Sequence, residues 1–115
     1  MDKYNRFFIR TVIGILPLSI MQMLNTENDV VNLSLDSLLK NRLHHPEIDI
    51  DEYKKIEKLL LNPDKVSLSK RDDLSVLVFN YENKNYLMVI KTTENKKENY
   101  LTSFRYFSEN EFLKY

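Results

Sequence analysis

Tyr100-Leu101-Thr102-Ser103-Phe104-Arg105-Tyr106 is the last of three strand-like runs in the final third of this chain. The two runs before it, Leu74 to Tyr81 and Asn85 to Thr92, flank the polar segment Glu82-Asn83-Lys84, which predicts a hairpin. A charged loop from Thr93 to Asn99 leads into the last run. Since aromatic and β-branched residues are frequent in all three runs, we expect an antiparallel meander.

The segment before the meander mixes short strands with helical periodicity. We expect strands at 5–14, 30–33 and 65–68. We also expect three helices: a short one that begins at Pro17 and reaches Leu24, one that is capped by Ser34 or Asp36 and runs toward Arg42, and one from Asp51 to Leu61. After the meander, Ser108 is a predicted N-cap, and Glu111 three residues later completes a capping box. This order predicts one α+β domain over residues 1–115.

Composition excludes several classes of site. The 115 residues contain no cysteine, so disulfides and thiolate metal sites are excluded, and the single glycine excludes a glycine-rich phosphate loop. The two histidines are adjacent and cannot form a helical metal-binding pair, so we expect neither a metal nor a cofactor. With 17 basic and 17 acidic residues, the chain is not a bulk electrostatic binder of nucleic acid, although a few well-placed cations remain possible.

The N-terminal region superficially resembles a targeting segment. Lys3, Arg6 and Arg10 flank an apolar run that ends at Leu16, but this run is short and Pro17 interrupts it. No stretch reaches the ~20 apolar residues of a membrane span. We therefore expect a folded cytoplasmic protein without membrane contact.

The polar residues of the last strands are candidates for chemistry. Alternation places Thr102, Phe104 and Tyr106 on one face of the strand, and Leu101, Ser103 and Arg105 on the other. In the preceding strand, Lys91 shares a face with Leu87 and Val89. These cations are either strand-end charges that extend into water or members of a site, and spacing alone leaves both alternatives open.

The two histidines lie between a predicted helix end and Pro46. Histidine can act as a general base near neutral pH without a large pKa shift. A helix cap or a surface turn is the alternative role for His44 and His45.

Six segments, taken in order, resemble a known family. They are Val12-Ile13-Gly14-Ile15-Leu16-Pro17, Val31 to Leu38, His45-Pro46-Glu47-Ile48, Leu60 to Val66, Asn85 to Lys91, and Leu101-Thr102-Ser103-Phe104-Arg105. As a set they resemble the phage-associated branch of the barnase–EndoU–colicin–RelE-like nuclease superfamily. Such domains occur in phage head-associated proteins and in bacterial polymorphic toxins.

The resemblance implies N-terminal helices packed on a four-stranded antiparallel sheet whose open face binds RNA. It also implies metal-independent cleavage, in which the ribose 2′-OH attacks the adjacent phosphate to leave a 2′,3′-cyclic phosphate. By position, the implied catalytic residues are His45, Lys91, Thr102 and Arg105, and the implied substrate contacts are Ser103, Phe104 and Tyr106. The expected partners are an RNA substrate and a cognate immunity protein. The alternative is a non-catalytic RNA- or protein-binding module with the same fold.

Overall fold

The computed structural model describes residues 10–81 and 83–115, which form one mixed sheet with helices on both faces. The strands are β1 Arg10–Ile15, β2 Val30–Ser34, β3 Lys65–Leu68, β4 Ser75–Tyr81, β5 Asn85–Thr92 and β6 Asn99–Tyr106. The helices are α1 Leu18–Leu24, α2 Leu35–His44, a 3₁₀ helix Ile50–Lys55, α3 Ile56–Leu61 and α4 Glu109–Lys114. The part of the first predicted strand over residues 5–9 lies outside the described residues.

The expected four-stranded antiparallel sheet with N-terminal helices is wrong, although the fold is α+β. The described sheet has six strands in the order β1-β2-β6-β5-β4-β3. β2 runs parallel to β6 through the pairs Val31/Asn99 and Asn32/Tyr100, and this pairing adds β1 and β2 to the meander. Because β2 and β6 are far apart in the sequence, no local pattern indicates their pairing, and the strand-like runs did not predict that all six strands form one sheet.

Local signals placed most elements well. β4 and β5 pair antiparallel from Tyr81/Asn85 onward, which confirms the hairpin. The Ser34 hydroxyl accepts a hydrogen bond from the Ser37 amide and caps α2. The helix predicted over 51–61 differs, because its first half is 3₁₀ and only Ile56–Leu61 is α-helical.

The sheet separates two apolar clusters of unequal size. The larger lies under α1, α2, the 3₁₀ helix and α3, and the fully buried Tyr86, Met88, Ile90 and Phe104 belong to it. The smaller lies under α4 on the other face, where Leu77, Phe79, Leu87 and Phe107 are buried. On this second face α4 covers only part of the sheet, and the surface beside it is open.

Gly14 permits a close approach between β1 and α3. A Cβ atom at this position would lie 2.6 Å from Cδ1 of Leu60, which is itself buried. The register of β1 against β2 also shifts between Val12 and Gly14. The only glycine of the sequence therefore lies where the strand bends toward a helix.

Candidate functional site

A cleft of about 700 Å³ lies on the α4 face of the sheet. Its floor comes from β4, β5 and β6, one wall comes from the loop between β3 and β4, and the other comes from α4. Its lining includes four basic residues, Arg71, Lys91, Arg105 and Lys114, and two acidic residues, Asp72 and Glu111. In a chain of zero formal net charge, this local excess of positive charge makes the cleft suitable for an anion.

Three of the four predicted catalytic residues line this cleft: Lys91, Thr102 and Arg105. Simple alternation predicted Thr102 on the opposite face from Arg105, which is wrong. Val89 pairs with Ser103 but the next residue, Ile90, pairs with Leu101, so Thr102 is the extra residue of a β-bulge. The bulge turns Leu101 toward the larger apolar cluster and lets Thr102 join the cleft.

Lys91 is the free cation of this group. Its side chain is exposed and shares a face with Leu87 and Val89, as predicted. Within residues 10–81 and 83–115, its ammonium group makes neither a hydrogen bond nor an ion pair. Near it, the Thr102 hydroxyl donates to the carbonyl oxygen of Val89 at 3.2 Å, which fixes the bulge.

Arg105 is held by a carboxylate of α4. Its Nη1 and Nη2 donate to the two carboxylate oxygens of Glu111 at 2.8 and 2.6 Å. This fork geometry raises the pKa of Arg105 and holds the pKa of Glu111 below its usual value. The Glu111 amide donates to the Ser108 hydroxyl, as the capping box requires. The Glu111 carboxylate, however, binds Arg105 instead of the backbone at the start of the helix.

Sequence reasoning missed the other wall of the cleft. The Asp72 carboxylate accepts from the Leu74 amide at 2.8 Å and from the Ser75 hydroxyl at 3.3 Å, which shapes the loop beside β4. Arg71 in this loop is exposed, and its backbone amide donates to the Ser69 hydroxyl. The run Ser69-Lys70-Arg71-Asp72-Asp73 carried a turn-like polar signal, but nothing in it indicated which strands it would adjoin.

His45 does not line the cleft. It caps the C-terminus of α2, and its Nδ1 lies 3.5 Å from a carboxylate oxygen of Glu47. Asn41, one turn earlier, hydrogen-bonds both the amide and the carbonyl of Phe104 in β6, so the end of α2 is attached to the edge of that strand. The Tyr106 hydroxyl donates to the Glu47 carbonyl at 3.4 Å, and Ile48 is buried in the larger apolar cluster, so the histidine loop lies on the face of the sheet opposite the cleft.

The predicted substrate contacts are divided between the two faces. Phe104 is fully buried in the larger cluster, edge-on to Tyr53 and stacked on Tyr86, so its ring has a packing role here. Tyr106 lies on the same face, where its hydroxyl is 3.0 Å from a carboxylate oxygen of Glu52. Ser103 pairs with Val89 on the cleft face but does not line the cleft.

The part of the chain that the structure describes contains no group of three or more His, Cys, Asp or Glu residues arranged to hold a metal ion. None of its helices has the length and apolar character needed to span a bilayer.

No protein-family model, curated protein sequence or solved structure matches this chain.

Proposed function

We propose that this protein is an endoribonuclease that binds RNA in the cleft on the α4 face and cleaves it without a metal ion, in a toxin-like or phage-related role. The observation that supports this proposal best is the meeting of Lys91, Thr102 and Arg105 in one basic cleft of a neutral chain. The resemblance of the sequence to a nuclease superfamily supplies the reaction. The cleft supplies cations for a phosphodiester.

The chemistry requires stabilisation of negative charge on phosphorus. When the 2′-OH attacks, the pentavalent phosphorane gathers charge on its equatorial oxygens. In the proposal, the free ammonium of Lys91 contacts these oxygens directly. The Arg105 fork shares its donors between the phosphate and Glu111, and the Thr102 hydroxyl reorients from Val89 to donate to the same group.

His45 is the proposed base for the 2′-OH. His45 ends the helix that Asn41 attaches to the edge of β6, on the face opposite the cleft, so the proposal requires the RNA to leave the cleft and pass around this edge to the histidine loop. A neutral imidazole there would accept the 2′-OH proton, and this role contributes typically ~10²–10⁴-fold to a rate. The P–O5′ bond breaks as the cyclic phosphate forms, and the leaving 5′-oxygen takes a proton from His45, Lys91 or water.

A second candidate function is a non-catalytic RNA-binding module. Two observations favour it: His45 lies outside the cleft lining, and Glu111 already occupies the donors of Arg105. In this alternative the cleft holds the phosphates, and no side chain is positioned to take the 2′-OH proton.

Incubation of the purified protein with total RNA and with tRNA in EDTA tests the proposal. The expected result is cleavage with 2′,3′-cyclic phosphate ends, detected because such ends resist labelling until a phosphatase removes them. A preparation of Lys91→Ala is the control for contaminating nuclease. RNA binding without cleavage would support the second candidate, and cleavage only with added magnesium would contradict the mechanism.

A further inference from the structure

Three of the basic residues of the cleft, Arg71, Lys91 and Arg105, lie at two different ends of it. At one end, Ser75 of β4 pairs directly with Lys91 of β5. The Ser69 amide donates to the Ser75 carbonyl, so the loop that carries Arg71 folds back next to Lys91. Arg71 and Lys91 therefore lie at the same end of the cleft.

The two cations at this end are available to a ligand. Neither the Arg71 guanidinium nor the Lys91 ammonium makes a hydrogen bond or ion pair with any residue that the structure describes. The nearby acidic residue, Asp72, directs its oxygens to the Leu74 amide and the Ser75 hydroxyl. This end thus holds two exposed cations that make no ion pair with the described residues, beside the Asp72 carboxylate and two hydroxyl-bearing residues, Ser69 and Ser75.

The other end is centred on Arg105. Arg105 pairs with Leu87, whereas Lys91 lies four residues farther along β5. At the rise of an antiparallel strand the two backbone positions are about 14 Å apart. That separation exceeds the size of one phosphate group and suits two non-adjacent phosphates of one chain.

We propose, on the basis of the ribonuclease function above, that the cleft binds a single RNA strand through at least two phosphates. Arg71 and Lys91 form one phosphate subsite, and Arg105 forms the other. A cleft of about 700 Å³ is the size of sites for compact ligands, and in the proposal one strand enters it and a duplex does not. Cations that follow a groove are typical of proteins that bind single strands without reading their sequence.

Fluorescence anisotropy with a six-nucleotide, 2′-O-methyl RNA tests this proposal, because the methylated sugar prevents cleavage during the measurement. Arg71→Ala and Lys91→Ala should each weaken binding about 3- to 10-fold at low salt, as expected for the loss of one phosphate contact. Each should also reduce the slope of log K against log salt concentration by about 0.7. Lys40→Ala is the matched control, since it removes the same charge from the exposed face of α2 and should change neither quantity.

Ligand length and strandedness provide the second readout. A dinucleotide with a single phosphodiester should bind at least ~10-fold more weakly than the six-mer, as should a duplex of the same sequence, because neither places two phosphates of one strand in the groove. If Arg71→Ala matches Lys40→Ala while the parent binds RNA, the subsite is wrong and the ribonuclease proposal stands. Equal binding of the duplex contradicts the single-strand proposal. If the parent binds no RNA, both proposals fail.

Discussion

His45 and His44 are adjacent histidines in different settings. His45 contacts Glu47 in the loop after α2, whereas His44 is an exposed residue in the last turn of α2. His45→Ala should reduce RNA cleavage by at least ~10²-fold, because a general base is lost, while His44→Ala should have little effect. Initial rates on a defined RNA, with melting curves to show that both variants are folded, measure the difference. Equal rates for the parent and a folded His45→Ala variant would show that the base lies elsewhere, and a carboxylate of the cleft would then be tested.

Glu111 links the stability of the protein to pH through Arg105. Because the pKa of Glu111 is lowered in the folded protein, the folded state binds this proton less readily than the unfolded chain. The stabilisation is therefore complete above the ordinary glutamate pKa of 4.5 and is lost as the pH falls through the lower folded pKa. Glu111→Gln should cost about 2 kcal/mol in urea unfolding at pH 7, the scale of hydrogen bonds to charged groups. The difference from the parent should shrink at pH 3, and a difference independent of pH would contradict this coupling.

The edge of β6 is completed by a side chain instead of a strand. β2 pairs with β6 only at Asn99 and Tyr100, and beyond that point the Asn41 amide donates to the Phe104 carbonyl and accepts from the Phe104 amide. Asn41→Ala leaves both buried backbone groups without partners, so the free energy of unfolding should fall by about 3 kcal/mol. Tyr53→Phe is the matched control, because it removes only the hydrogen bond between the tyrosine hydroxyl and Asn41, worth about 1 kcal/mol. Urea unfolding measures both, and equal losses in the two variants would show that the β6 contacts of Asn41 are not the main contribution.

How far the sequence predicts this structure differs from element to element. The pairing of β4 with β5, the Ser34 cap and the Ser108 cap depend on residues close together in the chain, so the sequence predicted them. The parallel pairing of β2 with β6 depends on residues far apart in the chain and left no such signal. At the site, the resemblance selected Lys91, Thr102 and Arg105, which the structure brings into one cleft, but the face of Thr102 required the bulge. Arg71 was missed because its importance arises only from the strand pairing that brings its loop beside Lys91.

At the scale of the whole molecule, the sheet separates the larger apolar cluster from the smaller one on which the cleft depends. α4 has no fully buried residue and is attached mainly through Phe112, which packs edge-on against Phe79 with ring centroids 5.5 Å apart. Lys65 also donates to the Phe112 carbonyl at 2.6 Å. A wall of the cleft is therefore held by the smaller cluster, and α4 should open at a lower free energy than the main core.

Phe112→Ala should separate the stability of this wall from that of the fold. We expect loss of hydrogen-exchange protection in α4, a decrease of about 2 kcal/mol in the free energy of unfolding, and weaker RNA binding, because α4 positions Glu111 and Lys114 in the cleft. Amides of β5 should stay protected, since Met88 and Ile90 are buried in the larger cluster.

Leu113→Ala is the matched control: this neighbouring side chain is 70% exposed, so its truncation should change neither stability nor binding. Hydrogen exchange measured by mass spectrometry, together with anisotropy titrations of RNA binding on the same samples, distinguishes these outcomes. Simultaneous loss of protection in α4 and β5 would mean that the two clusters unfold as one unit, and that the cleft wall cannot move without the fold.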